Sequence, residues 1–472
     1  MVSTRRQLLA GAAAAGGLAI VPARAIAQGS AITPESFGAR GDGLNNDSAA
    51  FARMAAFVNS RGGGQIVLRS TTYLVGRQAQ IAGPGEHYAF EPALIMDFLG
   101  CRGPLVIRGR GARLRCAPGL RYGTFDPLTG RPTHHPARSL HAEELATPYR
   151  AMIRVEDCSG GVDISGLELD GNVRALQIGG EYGDIGWQVP AVGIHLVNNR
   201  GPERLSRIYV HHHALDGLMI DGAEHRTAAS TILWLRSEHN GRQGCSIVGG
   251  HGYSFSDCSF SHTGKAGISS APGAGIDIEA EGGKSVRGLS FTRCRFVDNA
   301  GAGVVADSGN SEDATFVGCT FVGTTNWAAW PNKPAFRFAD CMFVGAIVHA
   351  FGDPDPRRAA QFHRCVFRDD PALSPTGEVY GGENPSRPIA DLPGNPNVRF
   401  DECTFNLTHR AVLPWTTNVV IFADCTLTQR APAQSYPRGT FVGRNVLSGN
   451  INLYSARIMG EVFLNGERVP PT

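Results

Sequence analysis

The chain has 472 residues, with 44 Lys and Arg against 42 Asp and Glu, 60 glycines, 28 prolines and 11 cysteines. This near-neutral balance argues against a nucleic-acid partner, because binding a phosphate backbone requires a strongly basic face. With 42% of residues apolar and 18% charged, disorder is excluded too, and the wealth of glycine and proline suits a turn-rich all-β chain.

The chain opens with Ser3-Thr4-Arg5-Arg6-Gln7-Leu8-Leu9, an apolar run from Ala10 to Ile20, and Pro22-Ala23-Arg24-Ala25-Ile26-Ala27. Paired arginines, a short apolar run and an Ala-x-Ala site mark residues 1–27 as an export signal, too short to be a stable membrane span. The segment resembles a twin-arginine signal. That resemblance implies export of an already folded chain, giving a periplasmic or secreted protein. Residues 31–472 then read as a single domain.

A short capping helix follows. Asp47 or Ser48 suits its N-cap, Phe51, Met54, Ala55 and Val58 fall at helical spacing, and Gly62 to Gly64 stop it before the strand GQIVL. Gly38 to Ala50, Gly62 to Leu68 and Thr72 to Gly76 resemble the opening of the pectate-lyase-like (pectin lyase-like) superfamily of right-handed parallel β-helices. The resemblance implies the fold and leaves the chemistry open, since polysaccharide lyases, glycoside hydrolases and phage tailspikes begin alike. Asp42, Asn46 and Asp47 suit turn and cap duties, with Ca2+ as the alternative.

Residues 105–116 alternate as an early rung should, and residues 120–150 break away as a surface loop. A second loop, 173–190, contains Tyr182 and Trp187, aromatics able either to stack on sugar rings or to anchor the loop. With Glu238 they are the candidate substrate-binding residues.

Five strands between residues 193 and 307 align on a preceding glycine: GIHLV, GLMID, GCSIV, GIDIE and GVVAD. Ile194, Leu218, Cys245, Ile276 and Val304 then face inward, and His195, Met219, Ser246, Asp277 and Val305 face outward, by the two-residue period of a strand. Only GIDIE carries two outward carboxylates, Asp277 and Glu279. The preceding turns place His212, His239, His262 and Asp298 in one column, either a solvated turn edge or a functional one. An insertion at 264–274, carrying Lys265, interrupts the third turn and is expected to overhang the GIDIE face.

From residue 255 the motif Phe-x-x-Cys-x-Phe recurs, at 255–260, 291–296, 316–321, 338–343, 362–367 and 400–405, with a worn copy at 422–427. Steps of this size are those of a solenoid with loops of variable length. Cys258, Cys294, Cys319, Cys341, Cys365, Cys403 and Cys425 should stack as a buried column of free thiols. An odd total and a shared phase argue against disulfides, and no CxxC pair or His-x-His spacing of the usual metal type accompanies these cysteines, which argues against zinc in that column.

The fold expected is therefore all-β, one right-handed parallel β-helix with a short N-terminal capping helix. The function expected is extracytoplasmic cleavage of glycosidic bonds in a polysaccharide. A polyuronate lyase would use Arg242, Lys265 and the histidines His212, His239 and His262 to neutralise a carboxylate and move the C5 proton. A glycoside hydrolase would use Asp277 and Glu279, whose Cα atoms two residues apart on a strand leave room for a water. A C5-epimerase and a non-catalytic, adhesive carbohydrate-binding β-helix are the remaining alternatives. Gly250-His251-Gly252 matches a polygalacturonase tripeptide without that family's aspartate motifs, so His251 reads as a turn residue.

Overall fold

The computed structural model of the chain describes residues 31–80, 90–127, 129–133, 145–180, 189–224 and 229–472. The expected export signal at 1–27, together with Tyr182 and Trp187, lies outside these. Among the described residues, no helix is long and apolar enough to cross a membrane.

Helix Ser48–Arg61 buries Phe51, Met54 and Val58 completely and stops at Gly62, whose φ is 71°. Asp47 occupies the N-cap position, but its side chain makes no cap hydrogen bond. It accepts instead from the Arg40 and Gly41 N–H groups at 2.7 and 3.0 Å. Asp42 is held by the N–H groups of Leu44 and Asn45, so both acids serve the turn.

Beyond the helix, parallel strands stack into a solenoid. One sheet runs from strand Gly64–Val67 through Leu105–Cys116, Val162–Asp170, Glu203–His211 and Ser230–Glu238 into the Phe/Cys repeats. The other runs from Met96–Leu99 through Ala151–Glu156, Val192–Val197, Asp216–Asp221, Gln243–His251 and Ile276–Ile278 to Val304–Ala306 and Trp330–Pro331. In this second sheet Ile194, Leu218, Cys245, Ile276 and Val304 pair in sequence, as do His195, Met219, Ser246, Asp277 and Val305. One position differs from simple alternation. A bulge places Asp221 beside Gly249 rather than Val248. The glycine column has a steric cause, since a Cβ on Gly244 or Gly275 would lie 2.5 Å from a carbonyl oxygen of the next rung.

The Phe-x-x-Cys-x-Phe motif solves a parity problem. The first Phe and the Cys are three residues apart, so a flat strand would turn them to opposite faces. The residue before each Cys is left-handed instead, as at Asp257 (φ 54°), Arg293 (51°), Asp340 (54°) and Arg364 (48°). The bend lets Phe255, Cys258 and Phe260 all point inward, and all three are buried. Rings of the first Phe column, from Phe255 to Phe422, stack at 4.6–5.2 Å. Each thiol of the Cys ladder lies on a carbonyl oxygen of the preceding rung, as Cys319 Sγ does on Phe291 at 3.4 Å, and all eleven cysteines are free and buried.

Within the two expected surface loops, segments 121–124, 145–146 and 177–179 join 78–80 and 90–92 in a five-stranded satellite sheet around Phe90, Phe125 and Ala146. At the far end, strand Glu467–Val469 pairs antiparallel with Glu461–Leu464 and ends the solenoid edge.

Candidate functional site

The first sheet has its bend in the early rungs as well, with Arg110, Gly166, Arg207 and Trp234 at the left-handed position. Ala112, Leu167, Ile208 and Leu235 there take the inward place that cysteine holds later, and all are buried. The outward residues beyond the bend form two rows in register. One row is Arg113, Glu168, Tyr209 and Arg236; the other is Arg115, Asp170, His211 and Glu238.

Glu168, Tyr209 and Arg236 of the first row line an open groove of about 410 Å³ together with Arg207 and Trp234, among others. Tyr209 stacks on His211 with ring centroids 4.1 Å apart, and the Arg236 guanidinium lies 4.4 Å from the Tyr209 ring. Arg236 pairs with Glu238 at 2.9 Å. Glu168 Oε1 meets both Arg113 Nε at 3.0 Å and His211 Nε2 at 3.1 Å, and Glu168 lines the groove. Burial, reinforced by the Glu238 carboxylate, raises the Tyr209 pKa. Trp234 is 48% exposed at φ 52°, with the Arg207 guanidinium 5.0 Å from its ring. A bulky aromatic at positive φ is an outlier of the kind that clusters at functional sites.

The histidine column adjoins this end of the sheet. His212, His239 and His262 all have positive φ, and their rings stack at 5.1 and 4.8 Å. His262 Nδ1 lies 2.9 Å from Asp298 Oδ2, and Lys265 Nζ lies 3.5 Å from Asp298 Oδ1. Burial acts to raise the Asp298 pKa, yet hydrogen bonds from Thr324 and His262 hold it low. Burial, then the charges on His211 and His239, lower His212 to about 4. Asn240 and Asn299 are buried and accept the His213 and Thr263 N–H groups, which makes them structural ladder residues.

Asp277, Glu279 and Arg242 belong to a different wall. Asp277 has outward parity in the second sheet but is only 8% exposed and accepts from Gln243 Nε2 at 2.8 Å. Burial and the Glu279 carboxylate push it up to about 8. Glu279 accepts from the Ser308 hydroxyl at 2.7 Å. Arg242, buried, is held by both oxygens of the fully buried Asp216 and by Ser246. The insertion at 264–274 packs on the turn that carries Arg242, through Gly264 N–H to Asn240 and Ser270 N–H to Gly241. Of the residues singled out from sequence, the structure gathers His212, His239, His262, Lys265 and Glu238 at the first sheet. It keeps Asp277, Glu279 and Arg242 on the second.

Sequence reasoning passed over Arg113, Glu168, Asp170, Tyr209, His211, Trp234 and Arg236. The signal that finds them is the turn column. Counting back from His212 and His239 by the two-residue period of a strand puts His211 and Tyr209, and Glu238 and Arg236, on the outward face.

A family described as "Right handed beta helix region" matches residues 153–335, which take in these rungs except Leu105–Cys116. Among solved structures, an N-terminal fragment of bacteriophage phi29 gene product 12 aligns with 93% of this chain and 72% of its own, at 12% identity and a TM-score of 0.54. The A-module of the Azotobacter vinelandii mannuronan C-5 epimerase AlgE6 aligns with 93% and 100%, at 14% identity and a TM-score of 0.40. An exopolygalacturonase from Thermotoga maritima aligns with 93% of each chain, at 11% identity and a TM-score of 0.35. No curated protein matches by sequence. At such identities the likeness is one of fold. The chain folds as a right-handed parallel β-helix.

Proposed function

We propose that the protein is an exported enzyme acting on an acidic polysaccharide, with its active centre in the groove of the first sheet. The observation that carries this reading is the convergence of Tyr209, Glu168 and Arg236 on one open groove beside an exposed tryptophan. Arg236 and Arg207 offer charge to a uronate carboxylate, which acidifies the adjacent C5 proton. Tyr209 and Glu168, on neighbouring strands, are placed to take that proton and to deliver one to the leaving oxygen. Trp234 offers a face for a sugar ring. Elimination, in which the C5–H electron pair expels the O4 substituent, is the preferred outcome, and return of the proton to the other face would make an epimerase.

Export in a folded state fits the eleven buried free thiols, which would be closed off before reaching an oxidising compartment. One observation favours a second reading, inverting hydrolysis by Asp277 and Glu279: Asp277 stays protonated near neutral pH, as a general acid must. The test is incubation with a panel of uronate polymers, following ultraviolet absorbance of unsaturated products alongside reducing ends. Both signals together support elimination. Reducing ends alone support the hydrolase, binding with neither signal nor epimerised product supports an adhesin, and neither binding nor turnover removes the polysaccharide reading.

A further inference from the structure

Behind the groove, Asp170, His211 and His212 bring one ligand atom each to within 4.8 Å of one another. His211 Nδ1 lies 2.7 Å from His212 Nδ1 and 3.7 Å from Asp170 Oδ1. We propose that these three side chains form a binding site for one divalent transition-metal ion of the zinc class.

Three features point this way. First, Glu168 Oε1 lies 3.1 Å from His211 Nε2, and a carboxylate there fixes the N–H on Nε2, leaving the Nδ1 lone pair facing its neighbours. A metal-bound histidine almost always has such a carboxylate or carbonyl on its other nitrogen. Second, two imidazole nitrogens that face each other must share a proton or a cation, because two lone pairs repel. Donors about 2.0–2.1 Å from a tetrahedral ion lie roughly 3.3 Å apart, a value that the two distances bracket. Third, the donor set is two nitrogens and one oxygen. Imidazole selects zinc, copper, nickel or cobalt, whereas calcium takes six to eight oxygens.

The surroundings also set the strength. Arg113 and Arg115 both contact Asp170 Oδ2, and the Asn172 N–H already donates to Oδ1 at 2.9 Å. These contacts draw electron density from the carboxylate, so affinity should fall in the micromolar range, below that of a closed structural zinc site. The site stands whether or not the groove processes a polysaccharide, and its test reads the ion itself.

The experiment uses the full chain stripped with a chelator and titrated with Zn2+ by calorimetry, with Co2+ as a visible-absorption reporter. The expected result is one ion per chain, a raised thermal midpoint with Zn2+, and no competition from a large excess of Ca2+. His212→Asn should weaken binding at least tenfold while keeping the turn, since asparagine adopts a similar positive φ at Asn172. Glu168→Gln should weaken it about 10- to 100-fold. His239→Gln, one rung beyond, should leave it unchanged. Absence of saturable binding, equal affinity in His212→Asn, or equal loss in His239→Gln would each overturn the site. Equal affinity would move the ion elsewhere, for instance to His363, Asp401 and Glu402, where three ligand atoms also converge.

Discussion

Replacing Asp277 by Asn should stabilise the protein at neutral and alkaline pH and do nothing in acid. Burial and the Glu279 carboxylate push the folded carboxyl up to about 8 from its ordinary value of 3.8. In the folded chain it remains protonated between those limits, whereas the unfolded chain releases its proton above the lower one. The stability contributed by the protonated group is therefore fully present below pH 3.8 and is lost as pH rises to about 8. Roughly four pKa units at about 1.4 kcal/mol each set a limit of about 6 kcal/mol. Asparagine never ionises and keeps an oxygen for Gln243 Nε2. For a chain of this length 1 kcal/mol moves the thermal midpoint by about 1 °C. Melting curves at one scan rate from pH 4 to pH 9 should show the variant's advantage opening from zero to a few degrees and levelling off above pH 8. Parallel curves, or a variant less stable throughout, would refute the claim that Asp277 is buried in its neutral form.

Other consequences follow from the packing. Arg242→Ala leaves Asp216 buried without its guanidinium and should cost about 3–5 kcal/mol, much of which the double change to Arg242→Met and Asp216→Leu should restore in thermal unfolding. Phe338→Ala opens a cavity between Phe316 and Phe362 and should cost about 3–5 kcal/mol by the same assay. The native protein should react with no equivalent of a thiol reagent while the denatured chain titrates all eleven cysteines, and a lower denatured count would expose a disulfide. Trp234→Ala should weaken binding of a uronate oligomer in a titration without lowering the thermal midpoint, since the ring is 48% exposed.

The scaffold is legible from the amino acids because its repeats obey local rules. Phe-x-x-Cys-x-Phe keeps one phase through six copies, and the glycine of each of the five aligned strands of the second sheet is imposed by a carbonyl of the next rung. The groove is harder to see because its rungs carry Ala112, Leu167, Ile208 and Leu235 where later rungs have cysteine, so no motif marks them. The bend also hides their parity, since Arg207 and Trp234 adopt positive φ without being glycine or asparagine. The histidine column was within reach because turn residues repeat once per coil. Burial of Asp277 was not, since strand alternation gives direction and says nothing of what covers a side chain.

Whether the groove or the Asp277 wall holds the active centre is decided most directly by initial rates on the uronate polymer that is turned over best, for wild type, Tyr209→Phe and Asp277→Asn at one pH. Removal of a proton-transferring group should lower the rate about 10²- to 10⁴-fold in Tyr209→Phe, with Asp277→Asn close to wild type. Full turnover in Tyr209→Phe together with a dead Asp277→Asn would contradict the account.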